Sequence, residues 1–153
     1  MNSKILLSSI FFFAAINAHA STEVKTKEEC TTIQDYFTQQ EKALPYKFTD
    51  HGYITNASAQ TMGEMCLVTL DIEYNEQALI DHFLVNAKGI TIGEIISYVN
   101  SNHVNNLMRE NFKSQAKSEY ANHSNHESLI FQYNVSYSGK RINNKLVSFN
   151  IDS

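Results

Sequence analysis

The chain has 153 residues, with 12 Lys and Arg against 16 Asp and Glu and a formal net charge of −4. That length accommodates one domain with a real core and leaves no room for two. A mildly acidic chain lacks the dense basic surface that general nucleic-acid binding requires, so no nucleic-acid partner is expected.

The chain opens on a leader. Lys4 supplies a basic start, residues 5–16 are apolar apart from Ser8 and Ser9, and Ala18-His19-Ala20 gives the small-x-small pattern that a signal peptidase cuts. The apolar run is too short to hold a bilayer span. Residues 1–20 are therefore expected to be a cleaved Sec-type signal peptide. Residues 21–153 then form a single exported domain, periplasmic or secreted. Ser21, rather than Cys, follows the cut, so no lipid or other membrane anchor is expected. The short leader and Asn-rich composition point to a bacterium. Loss of Lys4 takes the net charge to −5. The charge is uneven, because residues 109–153 carry a slight basic excess while the preceding part is acidic.

Cys30 and Cys66 are the two cysteines. In an oxidising compartment an even pair reads as one disulfide. The closed loop of roughly 37 residues would stabilise by ~4 kcal/mol on the chain-entropy model. The spacing is far from C-x-x-C, which argues against a redox or metal pair.

Thr26-Lys27-Glu28-Glu29 matches a capping box, predicting a first helix that starts there after a frayed segment 21–25. Cys30, Ile33, Phe37 and Leu44 share its apolar face, and Pro45 stops it at Leu44. Residues 46–58 suggest an edge strand or an irregular pair. The clearest strand follows: Cys66, Val68, Leu70, Ile72 and Tyr74 alternate with Leu67, Thr69, Asp71 and Glu73. Cys66 lies on its inward face, so the disulfide should pin the helix to the sheet through the core.

Residues 75–88 fit two patterns. Leu79, Ile80, Phe83, Leu84 and Ala87 make a helical stripe ahead of Gly89, while a loop at 75–78 would return Leu79, Asp81, Phe83 and Val85 as a strand. The hairpin is preferred, because Thr91-Ile92-Gly93-Glu94 opens a long helix directly afterwards. That helix changes its apolar face near Asn100-Ser101-Asn102, which predicts a kink or break. Residues 122–125 end it with turn formers. Leu129, Phe131, Tyr133, Val135 and Tyr137 then alternate along one strand, and Val147, Phe149 and Ile151 mark a last one. The expected fold class is α+β: an antiparallel sheet of four to five strands. The N-terminal helix and a long, kinked central helix pack on one face.

Candidate sites are sparse. Glu119, His123 and His126 are spaced i, i+4, i+7 and would share a helical face suited to zinc. The trio completes no metal motif, and the turn residues around His123 should scatter it, so no metal or other cofactor is assigned. No G-x-S-x-G precedes a helix, and no Gly-rich phosphate loop occurs. Asp71 and Glu73 point the same way from their strand and read as a solvated face. Phe131, Tyr133 and Tyr137 form an aromatic strand face that either roofs the core or offers an interaction surface.

The reading is thus a small exported binding protein without catalytic activity, whose partner is another protein: an envelope inhibitor, an immunity protein, or a secretion or assembly accessory factor. Two alternatives remain open. One is a secreted virulence or colonisation factor acting on a host molecule, and the other is a small metal-dependent hydrolase.

Overall fold

The structure, a computed structural model, describes residues 22–120 and 128–151. The leader and the turn at 122–125 lie outside them. Helix α1 (Thr22–Gln40) starts one turn earlier than the capping box suggests, because nothing in the preceding residues breaks a helix. A 3₁₀ turn at Glu41–Ala43 carries the chain to Leu44. Leu44 is extended (φ −76°, ψ 143°), as a residue before proline must be. Strands β1 (Tyr46–Lys47), β2 (Gly52–Met62) and β3 (Met65–Tyr74) follow, with Gly63 in the left-handed region at φ 62° turning β2 into β3.

The stretch after β3 corrects the expected hairpin. It is helix α2 (Glu76–Asn86), whose N-cap Asn75 accepts a hydrogen bond from the Ala78 amide at 2.9 Å. A turn through Gly89 (φ 80°) leads to α3 (Ile92–Asn100). Its Thr91–Glu94 capping box is complete in both directions. The expected break is real: Ser101 is extended, and α4 (Asn102–Tyr120) begins anew beyond it. Ser101 serves both helices. Its hydroxyl donates to the Tyr98 carbonyl at 2.6 Å and accepts from the Val104 amide at 3.4 Å.

Strands β4 (Leu129–Tyr137) and β5 (Lys145–Asn150) complete a five-stranded sheet in the order β1-β2-β3-β4-β5. Three of the four pairings are antiparallel, but β3 and β4 run parallel, so the sheet is mixed. The reason is the connection. A parallel pair needs a long crossover, and α2, α3 and α4 supply it between Tyr74 and Leu129. The fold class is α+β, with helices against one face of the sheet.

The core lies on that inward face. Cys30, Ile33 and Phe37 of α1 meet Ala59, Cys66 and Val68, and the Cys30–Cys66 disulfide joins helix to sheet with the Cα atoms 5.5 Å apart. Farther along the same face α4 lays Phe112 over Tyr133, rings 4.2 Å apart and nearly parallel, and Tyr120 against Phe131 at 5.1 Å. Phe149 of β5 stacks beside Phe131 and Tyr133. No helix among the described residues is long and apolar enough to cross a membrane.

Candidate interaction surface

Among the described residues, no helix lies on the outward face of the sheet. Strand β3 presents Leu67, Thr69, Asp71 and Glu73 there. They stand beside Ile130, Gln132, Asn134 and Ser136 of β4, and beyond those lie Leu146, Ser148 and Asn150 of β5. All are partly or fully exposed. A bulge at Thr55 in β2 reverses the parity of that strand and brings Asn56 to the outward face opposite Asp71. Asp71 then becomes the hub of a cross-strand network. It accepts from Asn56 Nδ2 at 3.0 Å and from Asn134 Nδ2 at 2.6 Å, and Asn134 Oδ1 accepts from Gln132 Nε2 at 3.3 Å. The Asp71 carboxylate is therefore committed to its neighbours, while Glu73 is exposed.

The two edges of the sheet are built differently. On one side β1 is two residues long, α1 lies along β2, and Gln34 Oε1 accepts from the Ala59 amide at 2.7 Å. On the other side β5 has six residues in unbroken register with β4 and no strand beyond it among the described residues. Between β5 and the start of α4 runs an open groove of about 490 Å³. Asn100, Asn105, Asn106 and Arg109 line it from the helices, and residues 143–148 line it from β5 and the loop before it. Arg109 and Lys145 supply two cations, and no acid among the described residues lines the groove. Burial lowers the pKa of Lys145 from its ordinary value. Asn105 Oδ1 is buried without a hydrogen-bond donor.

The loop leading into β5 is fixed by a buried carboxylate. Glu76, 1 % exposed, accepts from the Arg141 guanidinium at 2.6 Å and from the Arg141 and Ile142 amides at 3.1 and 3.0 Å. Its own amide donates to Ser138 Oγ at 3.1 Å. Burial alone would raise its pKa, but the hydrogen bonds from Arg141 and Ile142 outweigh it and hold the carboxyl below its ordinary value. Asn100 holds the same loop, donating to the Arg141 carbonyl at 3.3 Å and accepting from the Asn143 amide at 2.9 Å. Gly139 passes so close to Glu76 that a Cβ there would collide with the carboxylate. Sequence reasoning missed this clamp. Glu76 sits in what reads as a loop, and its partner is 65 residues away.

The residues singled out from sequence fall differently. Phe131, Tyr133 and Tyr137 are 1, 4 and 7 % exposed. They roof the core and offer no interaction surface, because α4 covers Phe131 and Tyr133 and Tyr74 stacks on Tyr137. Burial raises the pKa of Tyr120, Tyr133 and Tyr137. Glu119 accepts from Gln115 Nε2 at 3.1 Å, and burial raises its carboxyl pKa. His123 and His126 lie outside the described residues. Among those described, no three His, Cys, Asp or Glu side chains gather as metal ligands.

No protein-family model matches the chain, and no curated protein matches it. Two solved structures are similar in outline. One is EpsS, the pilotin of the Vibrio vulnificus type 2 secretion system, 12% identical with a TM-score of 0.40. That alignment covers 81% of this chain and 91% of that one. The other is PA3611, classed as a secreted protein of Pseudomonas aeruginosa, 10% identical with a TM-score of 0.38, covering 86% and 96%. Likeness at this level is too slight to carry function across.

Proposed function

We propose that the chain is an exported protein whose residues 21–153 work by binding another protein, in the manner of an envelope inhibitor, an immunity protein, or a secretion or assembly accessory factor. Export is read from the leader at 1–20 and is supported by the Cys30–Cys66 disulfide, which persists in oxidising compartments.

The binding role rests on one observation: among the described residues, no element covers the outward face of the sheet, whose side chains are partly or fully exposed. A face serving only solubility would carry Lys and Glu. Here Glu73 is joined mainly by Thr, Ser, Asn and Gln side chains, several bonded to one another or to Asp71, beside the partly buried pair Leu67 and Ile130. Short, pre-ordered side chains lose little entropy on docking, and apolar spots among them supply the driving force.

Photocrosslinkers placed singly at Thr69, Gln132 and Ser148 in the native host test this reading. The expected result is one discrete protein adduct from these positions and none from Gln39 or Glu41, which are exposed at the end of α1 and in the 3₁₀ turn. Absence of adducts from the sheet, or equal adducts from every position, counts against it. Cleavage after Ala20 is checked by the intact mass of the exported protein, which should begin at Ser21.

A further inference from the structure

We propose that the outer edge of β5 at Lys145–Phe149, with the groove between it and α4, accepts an extended segment of a partner protein as a sixth strand, and that this segment bears carboxylates on its helix-facing side. The inference rests on the protein-binding reading above and names the site and the chemistry of the partner.

The edges of the sheet carry the first part of the argument. An unpaired strand exposes alternate N–H and C=O groups, and proteins usually blunt such edges with short strands, bulges, proline or a covering element. The β1–β2 edge has several of these devices: a two-residue outer strand, Pro45, a bulge at Thr55, and α1 with Gln34 bonded to Ala59. Among the described residues the β5 edge has neither a bulge nor a proline, although Lys145 puts a charge on it and α4 packs against its inward side. Six residues extend for about 20 Å, enough to pair a segment of five or six residues. The Glu76 clamp and Asn100 hold the preceding loop, so the edge is ordered before any partner arrives. Preorganisation of that kind lowers the entropy cost of strand addition.

Side-chain alternation identifies the partner. Lys145, Val147 and Phe149 share one parity of β5, the helix side, and Leu146 and Ser148 share the other. A strand added beside β5 would turn every second side chain toward Lys145 and Arg109, in a groove lined by cations and amides in a chain whose net charge is negative. Carboxylates fit there. The intervening side chains would lie beside Leu146, which is 67 % exposed, where apolar groups fit.

The test uses the exported protein and capped hexapeptides in which Asp alternates with Val. Nuclear magnetic resonance titration should shift amides of β5 and of residues 105–109, and hydrogen exchange in β5 should slow. Replacing Asp by Lys in the peptide should weaken binding at least tenfold, as should N-methylating alternate peptide nitrogens. Arg109→Glu with Lys145→Glu should reverse the preference toward the Lys peptide while the melting temperature stays within a few degrees. Absence of binding, shifts confined to other elements, indifference to N-methylation, or self-association through β5 instead would overturn the proposal. If these fail while the sheet-face crosslinks persist, only the edge assignment falls. If both fail, the protein-binding reading falls with it.

Discussion

A carboxylate taken out of water must be met by donors. Glu76 is met by the Arg141 side chain and two backbone amides, which tie the start of α2 to the loop before β5. Glu76→Gln keeps the shape but discards the charge, and should cost about 1–3 kcal/mol in urea unfolding. Because the folded carboxyl lies below its ordinary value, its contribution is fully present above the unfolded pKa and is lost as pH falls through the folded one. The Gln variant should therefore lose less stability than the parent on acidification below about pH 4.5. Equal acid sensitivity of the two would show that Glu76 is not the group responsible.

Glu119 has the opposite sign. Burial raises its folded pKa, so the charged form is unfavourable above that value and acidification relieves it. Glu119→Gln should raise stability modestly at pH 7 and leave it unchanged at pH 3, which thermal melts at the two pH values will decide. Gly139→Ala belongs with Glu76, since the added Cβ meets a carboxylate that its bonds hold in place. A marked drop in melting temperature is expected, and an unchanged one would mean that the loop yields freely.

Among the elements, what the sequence made legible followed from local periodicity and caps. Strand β3 alternates cleanly because helices cover one side and water the other, and β4 alternates for the same reason. The α3–α4 break was readable because Ser101 caps in both directions. Helix α2 was misread because Asn75 suits a turn as well as an N-cap, and its stripe is short. Asn75→Ala should cost ~1 kcal/mol by removing the bond from the Ala78 amide. No loss in chemical denaturation would mean that packing of Ile80, not the cap, fixes the helix. The parallel pairing of β3 with β4 was hidden for a related reason: a hairpin at 75–88 would have returned the chain to the sheet, whereas three helices carry it over. The groove was not readable at all. Its walls come from α3, α4 and β5, and only folding brings Arg109 beside Lys145. The aromatic strand face was seen with two readings open, core roof or interaction surface, since periodicity shows that a face is apolar without showing what covers it.

At the scale of the whole molecule, the disulfide and the uneven covering of the sheet define the design. The Cys30–Cys66 bond ties α1 across the inward face, so reduction or Cys66→Ser should lower stability by ~4 kcal/mol, a fall of more than about 10 °C in melting temperature. An unchanged melt would mean that packing of Ile33 and Phe37 suffices. With the helices committed to one layer, the other layer and the β5 edge are what the molecule has left to offer. Hydrogen exchange of the exported protein, free and bound to its captured partner, examines that division most directly. Slowed exchange in β5 and its groove, with α1 and α2 unchanged, is the expected result. Protection gained on the outer surfaces of α1 and α2, with β5 exchanging as in the free protein, would contradict it.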